Sequence, residues 1–490
     1  MTDEAKPKNG DGESSVAGAA VEPLDELVTT RHTLGDLAYT ATTGRIVLRH
    51  EVFTDDTFHG HKPKAEMSIT SYTLDDADVF SRPVTFAFNG GPGSASIWLH
   101  MGLLGPRRVL MGDAGALAPP PYGIADNPQT LLRHSDLVFI DPVSTGYSRA
   151  SSGEKAKPFH GYTGDIESVA EMIRLWTTRN NRWMSPKFLA GESYGTLRAA
   201  GLAEYLQNRY RLYLNGLMLI SPVLDLGTLE FSDHNDLPYA LHLPTYAAIA
   251  HYHGLHGDRP LREVLDEAER YAARDYPWAL SRGARLSTAE RDEAVSTVAR
   301  LAGLSADYVD SVDLRIEHIR FFTQLLRHKR LVTGRLDGRF TGPDTDYGRE
   351  QFSSDPAMNA ISGPYAAAFN HYVRAELGYH SDLPYEVITD RVHPWSFAEF
   401  EARNMSVADK LATAMRTNPH LRVHVACGYY DGATAHTAAE YTLARLAIPR
   451  HLHDNIEYRY YESGHMMYVH EPSRLRQSAD LAAFVTGGAA

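Results

Sequence analysis

The segment GESYG (191–195) carries the residue types that acyl-transfer chemistry needs. It follows the apolar run PKFLAG (186–191) and opens a helical pattern, which predicts a sharp turn between a strand and a helix. Such a turn exposes a serine oxygen above the sheet, and small residues on either side let the strand and the helix approach closely. We therefore predict that Ser193 is a nucleophile.

A second serine, Ser148 in GYSRA (146–150), stands in a similar setting but lacks the second glycine and a following helical pattern. An ordinary turn explains it. We do not expect Ser148 to be reactive.

A serine hydroxyl needs a base to take its proton and a carboxylate to orient that base. His465 in YESGHMMY (461–468) follows the last predicted strand, and Asp431 in ACGYYDGATAH (426–436) follows the strand before it. The chain order serine, acid, histidine is the order found in α/β-hydrolases. His436 and His470 are weaker candidates for the base.

Acyl transfer also needs hydrogen-bond donors for the oxyanion. The backbone N–H of Tyr194, directly after the nucleophile, is one expected donor. The glycine loop FNGGPGSASIWLHMGLLGP (88–106) is expected to supply the other. This loop lacks the lysine and the Ser/Thr ending of a phosphate-binding loop, so a nucleotide is not expected there.

The elements that must position these residues alternate between short apolar runs and helical patterns. Near-continuously apolar runs at 83–89, 135–143, 186–191 and 214–223 predict parallel strands that are buried on both faces. The runs 421–431 and 455–465 predict two further strands, 44–53 and 64–74 predict an antiparallel entry, and 164–179 predicts a crossover helix. The fold class is therefore α/β, with a mostly parallel central sheet flanked by helices.

Between about residue 226 and residue 409 the sequence pattern becomes mainly that of helices, for example at 260–276 and 311–328. We predict a large helical cap inserted at 226–409, a core made of 29–225 and 410–490, and a flexible N-terminal tail at 1–28. A cap of this kind would cover the carboxyl ends of the strands, where open α/β sheets bind ligands.

Composition excludes several classes of partner. A formal net charge of -13 would repel nucleic acid and anionic lipid, so neither nucleic acid nor a membrane is expected as a partner. Cys427 is the single cysteine, which rules out an internal disulfide and favours a cytoplasmic location, although an exported form that has lost a signal remains an alternative. The sequence does not indicate the oligomeric state.

Two clusters of polar residues contain side chains that can bind metals. The histidines at 251, 253 and 256 have no acid or cysteine at matching spacing, and Asp344 with Asp346 lacks the later glutamate of a calcium loop. We expect no metal and no cofactor. The basic run 327–340 is interpreted as a solvated helix end and loop.

Four blocks of the sequence resemble the serine carboxypeptidase family. They are NGGPG (89–93), DPV (141–143) with GYS (146–148), GESYG (191–195) and GHM (464–466). The resemblance covers the core blocks, 83–225 and 421–470, and the cap only loosely. It implies an α/β-hydrolase fold and a serine-type carboxypeptidase that acts on peptides with a free C-terminus.

The resemblance also implies roles for individual residues. Ser193, Asp431 and His465 would form the catalytic triad, and the N–H groups of Gly91 and Tyr194 would form the oxyanion hole.

Four further residues are implied to contact the substrate. Asn89, the N–H of Gly90 and Glu192 would receive the C-terminal carboxylate, and Met466 would border the pocket of the leaving residue. An acid that faces a carboxylate must be protonated to donate a hydrogen bond, so an acidic pH preference is expected.

The sequence departs from the family pattern at three points. Leu103 stands where the family has a second glutamate that shares a proton with the acid before the serine, Ala87 replaces a frequent tryptophan, and the disulfides of secreted members are absent. Carboxylate recognition is therefore the weaker part of the resemblance. A serine esterase or acyltransferase, or a non-catalytic binding protein with the same fold, are the alternatives.

Overall fold

One mixed sheet of ten strands runs through the protein, whose computed structural model describes residues 22–401 and 404–487. The strand order is β1-β2-β3-β7-β4-β9-β10-β13-β14, with β8 paired to β3. Two small two-stranded sheets, β5-β6 and β11-β12, lie outside it. The strands are β1 (Glu26–Leu34), β2 (Leu37–Thr54), β3 (Thr57–Leu74), β4 (Val84–Phe88), β5 (Arg107–Leu110), β6 (Gly123–Asp126), β7 (Asp136–Ile140), β8 (Arg149–Ala150), β9 (Lys187–Glu192), β10 (Gly216–Ile220), β11 (Val332–Thr333), β12 (Thr341–Gly342), β13 (Arg422–Gly428) and β14 (Ile456–Tyr461).

Helices fill the connections between the strands. They are α1 (Ile97–Leu99), which continues into a π-helical turn (His100–Leu104), α2 (Tyr162–Arg179), α3 (Tyr194–Tyr210), α4 (Leu237–Tyr252), α5 (Leu261–Ala273), α6 (Asp275–Arg282), α7 (Thr288–Ala302), α8 (Ala306–Ser311), α9 (His318–Gln324), α10 (Pro356–Ala375), α11 (Ala408–Thr417), α12 (His436–Ala444) and α13 (Glu471–Thr486).

The central strands are buried on both faces because their sequences are apolar throughout. Every residue of β4, β7 and β10 is buried, and the pairs β7-β4, β4-β9, β9-β10, β10-β13 and β13-β14 are parallel. Strands β2 and β3 pair antiparallel, as the sequence predicts for the entry, and β1, which the sequence did not predict, pairs antiparallel with β2. This is the predicted α/β-hydrolase arrangement, in which the carboxyl ends of the parallel strands meet at one edge.

Side chains alternate between two core clusters on opposite faces of the sheet. On β4, Phe86 packs into the cluster that contains α2, α3 and α11, whereas Ala87 packs into the cluster that contains α1, α10 and α13. On β10, Leu217 and Met218 divide in the same way. Successive side chains of a strand point to opposite faces of the sheet, so each face packs against its own layer of helices.

The segment between β10 and β13 is not one uniform cap. Helices α4 to α9 bury their apolar side chains in a third cluster of their own, which reaches the core at Tyr430. Helix α10, which lies within the predicted cap, packs instead through Tyr365 and Tyr372 into the second cluster beside the sheet. The cap proper is thus the bundle α4 to α9.

Some predicted boundaries differ from the structure. Strand β1 begins at Glu26, inside the predicted tail 1–28, whose residues 1–21 lie outside the described residues. The helical pattern at 311–328 is interrupted, because Asp313 and Leu314 adopt left-handed backbone conformations (φ 49° and 66°) between α8 and α9. Among the residues described, no helix has the length and apolar character needed to span a bilayer.

Candidate active site

Ser193 occupies the turn between β9 and α3 in a strained conformation. Its φ of 59° and ψ of -129° are unusual for a residue with a side chain, and its N–H donates to the carbonyl of Ile220 on the neighbouring strand β10 at 3.0 Å. The carbonyl of Ser193 accepts from the N–H of Thr196 at 2.8 Å, which begins the helix. The predicted sharp turn is therefore present, with Ser193 at its apex.

Glycines are needed around this turn because the backbones approach closely. A Cβ added to Gly191 would lie 2.2 Å from the carbonyl oxygen of Gly195, and one added to Gly195 would lie 2.8 Å from the carbonyl oxygen of Phe88. A Cβ on Gly90 would lie 2.5 Å from the nitrogen of Tyr194. The glycines of the motif thus bring β9, α3 and the glycine loop together.

His465 and Asp431 form a buried pair at the ends of β14 and β13. The Nδ1–H of His465 donates to Oδ2 of Asp431 at 2.7 Å. Asp431 also accepts from the hydroxyl of Thr434 at 2.7 Å and from the N–H groups of Ala433 and Thr434. Every one of these bonds favours the ionised carboxylate, which fixes the ring so that Nε2 is free to act as a base.

The protonation of the pair follows from its surroundings. Burial alone would raise the pKa of Asp431, but its attraction to His465 and the hydrogen bonds from His465 and Thr434 outweigh burial and lower that pKa. Burial would lower the pKa of His465, but Asp431 and, more weakly, Glu192 raise it. An imidazolium that forms when His465 accepts a proton is therefore stabilised.

Ser193 and His465 line the same cavity, of about 510 Å³, between the sheet edge and the cap. No hydrogen bond joins the Ser193 hydroxyl to the ring in the described part of the chain. Such bonds commonly tighten only when substrate is bound.

Both predicted oxyanion donors also border this cavity. Tyr194 is the first residue of α3, so its N–H has no partner inside the helix. Gly91 has a φ of 97°, a conformation that favours glycine. Across residues 22–401 and 404–487, neither N–H donates to a protein group. Their joint action on an oxyanion stays a prediction.

The predicted carboxylate-binding residues lie deeper. Glu192 is 3 % exposed and Asn89 is 1 % exposed, and neither borders the cavity that contains Ser193. Asn89 Nδ2 donates to Oε1 of Glu192 at 2.9 Å, while the carbonyl oxygen of the Asn89 side chain accepts from the N–H of Leu99. Gly90 is buried beside them.

Tyr468 is a partner of Glu192 that the sequence did not reveal. Its hydroxyl donates to Oε2 of Glu192 at 2.7 Å, across 276 residues of chain. Leu103, at the position of the second family glutamate, is buried in the same core cluster as Tyr468. A Cβ on Gly102 would lie 2.4 Å from the Tyr468 ring, so glycine at this position admits the ring.

Glu192 still titrates high without a second acid. Burial raises its pKa to about 7, although the charge of His465 and the hydrogen bonds from Tyr468 and Asn89 pull in the opposite direction. Glu192 is therefore protonated over much of the acidic range, as carboxylate recognition requires.

Met466 is 7 % exposed and packs in the second core cluster. It does not line the cavity beside Ser193. Its contact with a leaving residue stays a prediction.

A buried loop, 335–339, holds the acid and the histidine in place. The N–H of Gly432 donates to the carbonyl of Arg335 at 3.0 Å, and the N–H of His465 donates to the carbonyl of Leu336 at 2.6 Å. Asp337 accepts from the N–H of Gly464 at 3.1 Å. The loop thus contacts both triad loops, a function that its sequence does not suggest.

The interpretation of the basic run 327–340 was wrong in its second half. Arg339 is buried and its guanidinium pairs with Asp337 at 2.7 Å and with Asp113 at 3.2 Å. Residues 332–334 and 336–340 are buried as well. The run turns inward because the loop packs on the ends of β13 and β14.

The competing candidates have structural partners instead. Ser148 is buried; its hydroxyl donates to the carbonyl of Asp141 and accepts from the N–H of Ser68, each at 2.7 Å. The ring of His436 faces Glu269 at 3.3 Å, and that of His470 faces Ser473 at 2.8 Å. None of these residues lines the cavity.

In the two polar clusters named above as candidate metal sites, the side chains already have hydrogen-bond partners within the protein. Nε2 of His251, of His253 and of His256 each lies 2.7 to 3.0 Å from a backbone carbonyl oxygen. Asp344 accepts hydrogen bonds from Thr345 and Ser353 within its own loop. No group of side chains suited to a metal occurs among the residues that the structure covers.

Comparison with known proteins agrees with this geometry. The model of the serine carboxypeptidase family matches residues 73–462, more than half of the chain. The chain belongs to the serine carboxypeptidase family. The family match ends just before His465. The assignment of His465 as the base therefore depends on its contacts in the structure.

Two curated members of the family from Arabidopsis thaliana are similar over part of their length. Serine carboxypeptidase-like 44 is 29% identical over 184 residues, which are 33% of this chain and 34% of that protein. Serine carboxypeptidase-like 36 is 27% identical over 151 residues, 29% of each chain. The matched segment thus spans about a third of the length of these relatives.

A solved carboxypeptidase shares the fold. The crystal structure of Kex1Δp, a prohormone-processing carboxypeptidase from Saccharomyces cerevisiae, superposes with a TM-score of 0.57 and 14% identity. The alignment covers 92% of this chain and 91% of that one. The α/β-hydrolase fold predicted from the sequence is confirmed.

Proposed function

We propose that the protein is a serine carboxypeptidase that removes the C-terminal residue of peptides. The observation that supports this most strongly is the strained Ser193 facing the same cavity as the His465–Asp431 pair, in a chain of this family. A strained nucleophile at the end of β9 and a base fixed by a buried carboxylate are the two parts that acyl transfer requires.

In the proposed reaction, Oγ of Ser193 attacks the last peptide carbonyl while His465 Nε2 takes the hydroxyl proton. The N–H groups of Gly91 and Tyr194 stabilise the oxyanion. When the C–N bond breaks, His465 returns the proton to the leaving amine, and the acyl-enzyme remains on Ser193. Water, activated by the same histidine, then releases the shortened peptide.

Recognition of the free C-terminus is assigned to Asn89, Gly90 and Glu192. With a pKa of about 7, Glu192 can be protonated and donate to a substrate carboxylate. Because Asn89 and Glu192 lie behind the cavity wall, substrate must displace part of that wall to reach them.

The burial of Glu192 and Asn89 also supports a second candidate. A serine esterase or acyltransferase of the same family would use the same triad without contacting a C-terminal carboxylate.

A matched pair of blocked dipeptides, one with a free C-terminus and one amidated, separates the two. A carboxypeptidase is expected to cleave the free peptide at least ten times faster in kcat/KM, since charge-assisted hydrogen bonds are worth about 1.5 to 3 kcal/mol. Ser193→Ala serves as the control for contaminating activity. Equal rates on both peptides, or activity on esters alone, would favour the second candidate.

A further inference from the structure

The cavity beside Ser193 contains Arg335 among walls that are largely apolar but also include His393, Thr434 and His465. Its lining includes Val223, Leu226, Leu229, Trp395 and Phe397. Arg335 reaches the same cavity from the buried loop 335–339, and no acidic side chain lines it. This positive site stands out in a protein with a formal net charge of -13.

The guanidinium of Arg335 has no partner among the residues that the structure describes. Within the described residues it makes no ion pair and no side-chain hydrogen bond, and it is half-buried. Arg339, four residues later on the same loop, pairs with Asp337 and Asp113. The local acids are thus used by Arg339, and Arg335 is left with its donors directed at no protein group.

The nearest other acid is also engaged. Asp355 is buried, and its carboxylate accepts from the N–H of Leu336 at 3.0 Å and from the N–H of Ala357 at 2.9 Å. It does not lie within ion-pair distance of Arg335 in the described structure. The charge of Arg335 acts on both Asp355 and His465: it opposes the rise that burial causes in the pKa of Asp355. It also adds to burial in lowering the pKa of His465, against the opposing effects of Asp431 and Glu192.

We propose that Arg335 binds a carboxylate of the substrate inside this cavity, supplied either by an acidic side chain beside the scissile bond or by the C-terminus. This inference rests on the proposed function and specifies its substrate class. Guanidinium groups bind carboxylates through two parallel hydrogen bonds, and the apolar walls exclude the water that would weaken them. The backbone of Arg335 is fixed by the hydrogen bond that its carbonyl accepts from Gly432, next to Asp431, and its side chain lines the same cavity as Ser193 and His465.

Two sources of the carboxylate are possible, an acidic side chain or the C-terminus itself. Blocked dipeptides that carry Glu or Gln, first in the acyl residue and then in the leaving residue, distinguish them. If an acidic side chain binds Arg335, we expect kcat/KM for the Glu peptide to exceed that for the Gln peptide by roughly 10- to 100-fold at one position. Arg335→Met should bring this Glu-to-Gln ratio close to one. Arg335→Lys should keep part of the preference.

For the C-terminus, the Glu-to-Gln ratios are close to one, and Arg335→Met lowers kcat/KM equally on every free peptide but not on amidated ones. Arg335→Met that changes neither the Glu-to-Gln ratios nor the free-to-amidated ratio would overturn the inference. Arg285→Met, on an exposed residue outside the cavity, is the matched control. The kcat/KM values of the variants are compared on the plateaus of their pH profiles, because the charge of Arg335 affects the pKa of His465.

A second measurement keeps the inference testable if no peptide is cleaved, in which case the proposed function fails. Ser193 is labelled with two phosphonates that differ by one carboxylate. We expect the anionic reagent to react faster in the wild type, with this advantage lost in Arg335→Met. Equal labelling of both variants by the neutral reagent shows an intact nucleophile. An anionic reagent without advantage in the wild type would refute the assignment.

Discussion

At the scale of single residues, the charge of Glu192 bears on both the proposed recognition of the substrate and the proposed base, His465. Its pKa of about 7 makes it change charge in the range where His465 must be neutral to act as a base. The two groups are coupled, because the ionised Glu192 raises the pKa of His465. The pH profile should therefore reflect both residues.

Glu192→Gln is expected to broaden that profile. In the wild type, kcat/KM on a peptide with a free C-terminus should fall above about pH 7, because ionised Glu192 repels the substrate carboxylate. The amide cannot ionise, so this fall should disappear, and the acid limb should move to lower pH as the pKa of His465 drops. Steady-state kinetics between about pH 4 and pH 9 test this. An unchanged basic limb would remove Glu192 from recognition.

Tyr468→Phe tests the hydrogen bond that the Tyr468 hydroxyl donates to Glu192. The Tyr468 hydroxyl stabilises the ionised Glu192, so its loss should raise the pKa of Glu192 and move the fall in kcat/KM upward by about one pH unit. Tyr461→Phe, which loses a hydroxyl bonded to Asp480 elsewhere, is the control. A shift in both variants, or in neither, would contradict this function of Tyr468.

The two serines should respond in opposite ways to alanine. Ser148→Ala removes a buried bridge between Ser68 and Asp141, so the free energy of unfolding should fall by about 1 to 3 kcal/mol with kcat/KM kept. Ser193→Ala should abolish activity with little loss of stability. Denaturant unfolding and steady-state kinetics on both variants test these expectations. A Ser148→Ala protein that is stable but inactive would contradict the assignment of Ser193, rather than Ser148, as the nucleophile.

Sequence patterns predicted Ser193, Asp431 and His465 because each follows a strand in an order that the fold imposes, and the structure brings Ser193 and His465 to one cavity and joins His465 to Asp431. Tyr468 and Arg335 could not be found in this way. Tyr468 meets Glu192 only through tertiary packing, and nothing local distinguishes the unpaired Arg335 from the paired Arg339.

At the scale of elements, the loop 335–339 fixes the relation between the acid and the histidine. Its carbonyl groups accept from Gly432 and His465, and its buried Asp337 accepts from Gly464 and from Arg339. The loop lies between the cap bundle and α10, so the segment inserted after β10 takes part in building the site.

Arg339→Met should weaken this loop. It leaves the buried carboxylate of Asp337 without its ion-pair partner, which is expected to lower the free energy of unfolding by about 3 to 5 kcal/mol. The double variant Asp337→Leu with Arg339→Met should recover much of that loss, because no unpaired charge remains. Chemical denaturation of the three proteins measures the difference. A single variant within about 1 kcal/mol of the wild type would show that the pair does not hold the loop.

The parallel strands of the main sheet could be predicted, because residues buried on both faces of a sheet give apolar runs bounded by turns. The edge strand β1, most of whose residues are exposed or half-buried, and the short strands β5, β6, β8, β11 and β12 give no such runs and were not predicted. The sequence places helix α10 in the cap because it lies within the mainly helical stretch 226–409. Sequence periodicity identifies an apolar face but not the layer against which it packs, and Tyr365 and Tyr372 face the sheet.

At the scale of the whole molecule, the site lies where the carboxyl ends of β9, β13 and β14 meet the inserted segment. The core supplies Ser193, His465 and Asp431, and the insertion supplies Arg335 and the apolar wall around Trp395. The inserted segment thus forms part of the wall of the cavity that Ser193 and His465 line.

The most direct test of the central claim is the rate at which a neutral fluorophosphonate labels the protein, followed by mass spectrometry of its peptides. We predict one adduct on Ser193, with labelling slowed at least a thousandfold, roughly, in His465→Ala and strongly in Asp431→Asn. An adduct on another residue, or labelling of Ser193 at the same rate without His465, would contradict the account.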